Sequence, residues 1–443
     1  MNVVPLSGRT GSGRSTSTQN DSTIAALDVG STKVCCLIAE HVPAKDKHGS
    51  EPSQSAIKIK GMGHRVAHGI RSGVVVDVEA AERSIRAAVD RAERTAGVTI
   101  DGVYVNVSGG RPGCIGSTAH VGLGDGQVTP AHIQTALQAA RSRIDTQGRT
   151  LLHTAPVSYT LDANKGVRQP VGMFGETFGV DVNAITVDPG PMRNLATCIE
   201  RCHLNIHGFV ISPYASARAV LVEDELDLGV TCIDMGGGTT SVSVFVEGNL
   251  LFADVIPIGG AHVTNDIARG LSTPVAHAER MKTLHGSALP SMCDDREMVP
   301  VPAVGERGRD TVSQLPKSML TGIIQPRIEE TFELIRDRLR ASGFARLAGR
   351  RAVLTGGASQ ITGARELAAS TLDLQVRLGY PHRYPGIPEK AKGPAFAVTG
   401  GLLDYAANPD AETVSMPDMT HSAGHAMHAG YFARVGRWIK DSF

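Results

Sequence analysis

Short apolar segments flanked by Asp and Gly occur at two separate places in this chain. Residues 24–27 (IAAL) precede the turn sequence DVGSTK at 28–33, and a second apolar segment follows at 34–39. Residues 230–246 repeat this order, with VTCID before a glycine-rich turn and TSVSVFV after it. Each unit predicts a β-hairpin. Their repetition predicts two related halves, each built on one hairpin.

Helical periodicity fills much of the chain between and after the hairpins. Asp77 is predicted to be the N-cap of a helix ending near Thr95, because the apolar residues between them recur at helical spacing. The other predicted elements are, in chain order, a helix at 130–142, a helix from Met192, a loop at 292–315, a helix at 326–341, and a strand entering a glycine turn at 352–359. Strands alternating with helices favour an α/β fold. Residues 103–182 are richer in strands and Gly turns, which favours an inserted subdomain.

The composition is that of a folded protein with room for more than one domain. The 443 residues are 41% hydrophobic and 20% charged, and 44 basic side chains balance 44 acidic ones. This balance gives no overall attraction to nucleic acid, so we expect no nucleic-acid partner. No apolar run approaches the ~20 residues of a transmembrane helix. Residues 1–22 lack the apolar core of a signal peptide and are predicted to be disordered.

The cysteines favour a reducing cytoplasm, because the seven of them form neither CxxC pairs nor a compact disulfide framework. Cys198, Cys202, His203 and His207 have the residue types of a metal site. However, residues 194–202 are predicted to form a helix whose inner face includes both cysteines, which favours a role in the core.

The two hairpin tips carry the chemistry of a phosphate site. Gly and Ser/Thr at a tip let backbone N–H groups and hydroxyls approach phosphate oxygens. Asp28 and Asp234 end the first strand of each hairpin and offer hard ligands to a hydrated Mg²⁺, while Lys33 offers a positive charge. Asp-x-Gly turns are common for reasons of turn geometry alone, so each hairpin is weak evidence by itself. Together with the glycine turn LTGGAS at 354–359, they predict a purine ribonucleotide site.

Three motifs, LDVGSTKV, IDMGGGTTSVSV and VLTGGAS, resemble the phosphate-1, phosphate-2 and adenosine motifs of the ATPase superfamily of actin, heat-shock chaperones and sugar kinases. The segment 226–287 and the amphipathic C-terminus narrow the resemblance, which extends over residues 24–443, to the bacterial cell-division actin family FtsA. This resemblance implies ATP and Mg²⁺ as cofactors. The site residues that it implies are Gly30, Ser31, Thr32 and Lys33 with Gly236, Gly237, Gly238 and Thr239 around the phosphates, Asp28 and Asp234 around Mg²⁺ through water, Glu279 and Lys282 at the ribose and base, and Gly356, Gly357 and Ala358 at the adenosine.

The resemblance also implies an actin-like ATPase fold, with two related α/β domains around a nucleotide cleft and an inserted α+β subdomain. The implied divisions are a tail at 1–22, a first domain (1A) at 23–102 and 183–226, an inserted subdomain (1C) at 103–182, a second domain (2A) at 227–261 and 325–407, a subdomain (2B) at 262–324, a flexible linker at 408–430, and an amphipathic helix at 431–443. For Glu279 and Lys282, a solvated ion pair on a helix is the simpler alternative.

ATP hydrolysis is expected to be slow. Residues 213–217 offer no Gln, Glu or Asp where related ATPases carry a group that orients water, and Glu223, Asp224 and Glu225 are expected to be a solvated charge cluster. A metabolite phosphotransferase would need an Asp base at a sugar pocket. That class and an actin-like component of a pilus or secretion machine stay open as alternatives.

Residues 431–443 predict an amphipathic helix that lies in an anionic membrane surface. The residues implicated in membrane binding are Tyr431, Phe432, Arg434, Val435, Arg437, Trp438, Ile439 and Lys440. Docking of this helix on the protein itself or on a partner is the alternative. By the family resemblance, the protein would form filaments at the cytoplasmic face of the inner membrane at the division site. It would tether the tubulin-like protein FtsZ, whose C-terminal peptide it binds near 262–324, and recruit other division proteins.

Overall fold

The computed structural model describes residues 23–42, 56–305, 312–382 and 384–407. The expected tail at 1–22, the linker at 408–430 and the amphipathic helix at 431–443 lie outside the described residues.

Strands and helices alternate through most of the described chain. The strands are β1 Thr23–Val29, β2 Lys33–Val42, β3 Ala56–Val66, β4 Ile70–Arg71, β5 Val74–Val75, β6 Gly102–Val107, β7 Gly113–Gly122, β8 Thr150–Leu161, β9 Asn164–Val167, β10 Thr177–Val187, β11 Asn205–Ile211, β12 Val230–Met235, β13 Thr240–Val246, β14 Asn249–Ile256, β15 Met298–Pro302, β16 Val312–Pro316, β17 Arg351–Thr355 and β18 Gln375–Leu378. The helices are α1 Val78–Ala96, α2 Pro130–Ser142, α3 Pro189–Glu200, α4 Ser212–Val220, α5 Glu223–Leu228, α6 Gly260–Gly270, α7 Val275–His285, α8 Lys317–Ser342, α9 Ala364–Leu372 and α10 Ala397–Ala407.

Two five-stranded sheets form the centres of the two halves. The first has the order β11-β6-β1-β2-β3 and the second the order β14-β13-β12-β17-β18. In each sheet the predicted hairpin is antiparallel, and its first strand also pairs in parallel with a later strand, β6 in the first half and β17 in the second. The repeated arrangement confirms the expected α/β fold with related halves.

Helix α1 packs closely on β3 because two glycines of that strand leave room for its backbone. A Cβ atom at Gly63 would lie 1.7 Å from the Ala88 carbonyl oxygen, and one at Gly61 would lie 2.3 Å from that of Ala92. The helix begins as predicted, with the Asp77 side chain accepting a hydrogen bond from the Ala80 N–H. It ends at Gly97, whose φ of 71° is the left-handed conformation that glycine adopts at low cost.

The inserted segment forms a separate four-stranded sheet, β7-β10-β8-β9, with α2 against it. Strand β6, which we expected within the insertion beginning at 103, instead pairs with β1 and β11 in the first sheet. Its apolar residues Val103, Val105 and Val107 are buried in the core of the first half, and this burial explains the pairing. Strand β10 also continues past the expected boundary at 182, to Val187.

The segment 262–324 departs from expectation at two places. The predicted loop at 292–315 contains the hairpin β15–β16, in which Val299 and Val301 are buried and the intervening Pro300 is exposed. Helix α8 begins nine residues before the predicted start, at Lys317, and therefore contains Pro326 and crosses the expected boundary at 324. Burial of Leu320, Ile324, Ile328 and Phe332 along one face stabilises this helix despite the proline.

Candidate nucleotide site

A cavity of about 510 Å³ lies between the two halves of the molecule. Every residue that we predicted for the nucleotide and its metal ion lines this cavity. These residues are Asp28, Gly30, Ser31, Thr32, Lys33, Asp234, Gly236, Gly237, Gly238, Thr239, Glu279, Lys282, Gly356, Gly357 and Ala358. Two hairpin tips, helix α7 and the turn after β17 therefore converge on one space.

Backbone hydrogen bonds fix the shape of both hairpin tips. The Gly30 N–H donates to the Lys33 carbonyl at 3.0 Å, and the Gly236 N–H donates to the Thr239 carbonyl at 2.9 Å. The start of α6 supports the second tip, because the Gly260 N–H donates to the Gly236 carbonyl at 2.9 Å. The two tips therefore enter the cavity with the same local geometry, which is suited to surrounding an anion.

The hairpin tips also lie against each other across the cavity. A Cβ atom at Gly237 would lie 2.3 Å from Thr32 Cγ2, and one at Gly238 would lie 2.3 Å from Ser31 Oγ. Such separations are too short for real side chains, so glycine is required at both positions for this close approach.

The Asp28 carboxylate is close enough to Lys33 and to Asp234 to shift the pKa values of both. Lys33 Nζ is 2.8 Å from Asp28 Oδ2, and Thr399 Oγ1 donates to the same oxygen at 3.2 Å. Burial acts to lower the pKa of Lys33, but the charge and hydrogen bond of Asp28, together with the charges of other nearby groups, more than offset it, and the pKa lies above its ordinary value. Burial, and then the charge of Asp28, raise the pKa of Asp234 to about 7. A cation in the cavity would favour the ionised form of Asp234.

The turn after β17 lies directly behind Asp234. Gly356 has a φ of 88° and a ψ of 165°, a conformation almost restricted to glycine. A Cβ atom there would lie 2.2 Å from Asp234 Oδ1 and 2.5 Å from the Met235 carbonyl oxygen. The absence of a side chain at Gly356 therefore leaves room for the Asp234 carboxylate.

Glu279 and Lys282 form an ion pair in which the glutamate is exposed, as the simpler alternative expects, but the lysine is largely buried. Lys282 Nζ lies 2.7 Å from Glu279 Oε2, and the lysine side chain is only 11% exposed. The ammonium group also donates to the Gly260 carbonyl at 3.0 Å and to Thr264 Oγ1 at 2.9 Å. These contacts join α7 to α6 at the wall of the cavity.

Further polar residues that line the cavity were not predicted from the sequence, among them Asn106, Ser108, Ser212 and Ser241. The first two were missed because β6 was assigned to the insertion. The available signal was the motif VYVNVSGG, in which an apolar strand runs into polar and glycine residues as β1 and β12 do. The two other serines were not distinguished from ordinary small residues of a strand and a helix.

Two other predictions have clear outcomes. Glu225 is not part of a solvated charge cluster: it is buried, and its Oε1 accepts a hydrogen bond from Arg377 Nε at 2.6 Å. Glu223 and Asp224 are exposed as predicted, and the prediction failed for Glu225 because its partner Arg377 is distant in sequence. Cys198 is buried in the core of the first half as predicted, and no group of potential ligands suited to a metal ion occurs in the described ranges.

Comparison with known proteins assigns the family. The chain is 44% identical over 425 residues to the cell division protein FtsA of Rhizobium meliloti, covering 95% of each chain, and 34% identical over 428 residues to that of Pseudomonas aeruginosa, covering 96% of this chain and all of that one. The chain belongs to the FtsA family. The sequence model of the family described as "Cell division protein FtsA" matches residues 231–401, which include the second hairpin. This protein is therefore a cell-division protein with an actin-like fold.

A second sequence model, described as "SHS2 domain inserted in FTSA", matches residues 109–186 of this FtsA family member. The match begins after β6, in agreement with the place of that strand in the first sheet. The solved PilM-PilN type IV pilus biogenesis complex has a chain similar in fold, with a TM-score of 0.58 and 18% identity, covering 87% of this chain and 99% of that one. Among the described residues, no helix has both the length and the apolar character that a membrane span requires.

Proposed function

We propose that this FtsA family protein binds ATP with Mg²⁺ in the interdomain cavity, polymerises at the inner membrane, tethers FtsZ filaments there and recruits other division proteins. The observation that carries the proposal is the convergence of both glycine hairpins, both aspartates and the Gly356 turn on one cavity of about 510 Å³. Family membership supports the cell-division role. It also disfavours the alternatives of a metabolite phosphotransferase and a pilus component.

Within the cavity, the hairpin glycines and hydroxyls would hold the phosphates through backbone N–H groups and side-chain oxygens. Glu279 and Lys282 would face the ribose and base, and the turn at Gly356, Gly357 and Ala358 would bound the adenosine. Hydrogen bonds to the Gly260 carbonyl, Thr264 and Glu279 fix the Lys282 ammonium group at the cavity wall.

The donor set of the cavity also fits Mg²⁺. Asp28 and Asp234 supply two hard carboxylates, and both residues line the cavity. Carboxylates that hold a hydrated ion need no further protein ligands, because Mg²⁺ keeps several of its waters. Bound Mg²⁺ would supply charge neutralisation for the phosphates.

The membrane role rests on residues 431–443, which lie outside the described residues. Each basic residue near an anionic surface contributes ~1 kcal/mol, so Arg434, Arg437 and Lys440, less Asp441, give about 2 kcal/mol by that rule. Burial of Trp438 and its apolar neighbours would contribute the larger share. Attachment by one tail is therefore modest, and a polymer carrying many tails would bind firmly.

Sedimentation with anionic liposomes tests this role directly. The full chain, a truncation after Gly430, Trp438→Glu and the control Trp438→Phe would each be sedimented with and without ATP. We expect ATP to increase the bound fraction of the full chain, truncation to abolish binding, and only the Glu substitution to weaken it strongly. Binding that survives truncation would refute the assignment of the membrane site.

The partner is tested with a fluorescent peptide of the FtsZ C-terminus. We expect saturable binding of this peptide, and the family resemblance places its site on the segment 262–324. We expect the division proteins that are recruited later to bind the inserted segment. Failure of the peptide to bind the full chain would contradict the FtsZ role and revive the alternative of a pilus or secretion component.

A further inference from the structure

The floor of the cavity contains buried and half-buried hydroxyls to which the proposed phosphate contacts assign no role. Asn106 lies near the carboxyl end of β6, Ser108 follows that strand, and Ser212 begins α4. The Asn106 amide donates to Ser108 Oγ at 3.0 Å and to Ser212 Oγ at 3.2 Å, and the two hydroxyls are 2.7 Å apart. These contacts hold the Ser212 side chain in one place at the cavity wall.

Ser241 brings an unsatisfied hydroxyl to the same floor. It is 4% exposed, and its Oγ has no hydrogen-bond partner in the described part of the chain although it lines the cavity. A buried hydroxyl without a partner is costly, so a ligand or a water is expected to satisfy it.

The strand register places Ser241 beside α4 and beside Asp234. Ser241 and Ser243 lie on the same face of β13 because side chains alternate along a strand. Ser243 Oγ donates to the Pro213 carbonyl at 3.0 Å, so this face is turned toward the first turn of α4, where Ser212 lies. Ser241 is also the cross-strand partner of Asp234, and directly paired residues share one face of a sheet.

We propose that Ser212 and Ser241 hold and orient the water that attacks the terminal phosphate of ATP. Asn106 and Ser108 act as positioning residues, because they fix the Ser212 hydroxyl. The inference rests on the proposed function, since it requires ATP in this cavity. The two hydroxyls would orient the attacking water, a role that a Gln, Glu or Asp has in related ATPases. None of these residue types occurs on α4.

In this reaction the water oxygen forms a bond to the γ-phosphorus. The bond from that phosphorus to the β,γ-bridging oxygen breaks, and its electron pair leaves with ADP. The proton of the water passes to an oxygen of the released phosphate. Serine hydroxyls orient a water but accept its proton poorly at neutral pH, so turnover is slow.

The test compares affinity for ADP with affinity for ADP plus vanadate, which mimics the transferring phosphoryl group with an apical water. Ser212→Ala and Ser241→Ala should each weaken vanadate-dependent binding about threefold to tenfold, the value of one hydrogen bond, and leave ADP affinity unchanged. Ser243→Ala is the matched control, because it removes a hydroxyl from the same face of β13 at a residue that does not line the cavity. It should leave both affinities unchanged.

Single-turnover hydrolysis of bound ATP supplies the second readout. The two alanine variants should be slower by a similar factor, Ser212→Thr should retain most of the rate, and Ser212→Gln should raise it roughly tenfold or more by supplying an amide to the water. The proposal is overturned if vanadate does not tighten ADP binding to the parent protein, or if the alanine variants change both affinities equally. Absence of any ADP or ATP binding would instead refute the proposed function.

Discussion

Replacing Gly356 by Ala should destabilise the protein strongly, and the structure explains both causes. The backbone at φ 88° and ψ 165° is almost restricted to glycine, and a side chain in such a region costs about 1–3 kcal/mol. The added Cβ would also lie 2.2 Å from Asp234 Oδ1 and 2.5 Å from the Met235 carbonyl oxygen. Displacing the buried carboxylate from its hydrogen bond with Ser216 adds about 1–3 kcal/mol. We therefore expect a loss of about 3 kcal/mol or more.

Gly357→Ala is the matched control, one residue along the same turn. A Cβ there would lie 3.6 Å from Ala395 Cβ, an ordinary contact, and this residue does not have a positive φ. Its stability should stay within about 0.5 kcal/mol of the parent. Equilibrium urea unfolding of the nucleotide-free proteins, followed by circular dichroism, measures both changes. If the two variants differ by less than about 0.5 kcal/mol, the explanation of the Gly356 turn is wrong.

Three further predictions follow from buried groups. Burial lowers the pKa of His153 to about 4 from 6.5. As the pH falls, the unfolded chain therefore takes up the proton first, and the free energy of unfolding should decrease between pH 6.5 and 4 by ~3 kcal/mol. His153→Gln should flatten this part of the stability–pH curve, and an unchanged slope would contradict the assignment. Arg377→Ala leaves Glu225 buried without its partner and should cost about 1–2 kcal/mol at pH 7, since the arginine is partly exposed. Burial acts to raise the pKa of Glu225, but the Arg377 contacts hold it below its ordinary 4.5. The loss of stability in Arg377→Ala, measured by urea titration, should therefore disappear as the pH falls below the pKa of Glu225. Arg377→Lys should recover only part of the lost stability. Lys282→Ala should weaken ATP binding roughly tenfold by fluorescence titration, whereas Lys317→Ala, on an ion pair that does not line the cavity, should not.

Local signals were sufficient to predict the elements that carry the site. Asp77 before an amphipathic run predicted the start of α1, and Asp followed by Gly and Ser/Thr predicted both hairpins. Most of the predicted site residues lie at or next to turns, where glycine or an acidic residue is required by backbone geometry or by ligand chemistry, whereas Glu279 and Lys282 lie on α7 and were predicted from the family resemblance. Such requirements can be recognised in a short segment of sequence.

The features that were missed depend on contacts between distant segments. Strand β6 joins the first sheet because β1 and β11 flank it, and the sequence near Asn106 does not specify those partners. Pro326 would end an isolated helix, but packing of Ile324 and Ile328 in the core keeps α8 continuous. Arg377 pairs with Glu225 across 152 positions of sequence, which a local charge pattern cannot show.

Titration calorimetry of ATP into the full chain, with and without Mg²⁺, tests the central claim most directly. The structure predicts one site per chain, tighter binding with Mg²⁺, and loss of binding when the paired aspartates are replaced in Asp28→Asn/Asp234→Asn. Bound ATP should also stabilise the fold, by about 2.7 kcal/mol when its free concentration is a hundred times the Kd. Absence of saturable binding at millimolar ATP and Mg²⁺, or full binding by the double variant, would contradict the assignment of the cavity as a nucleotide site.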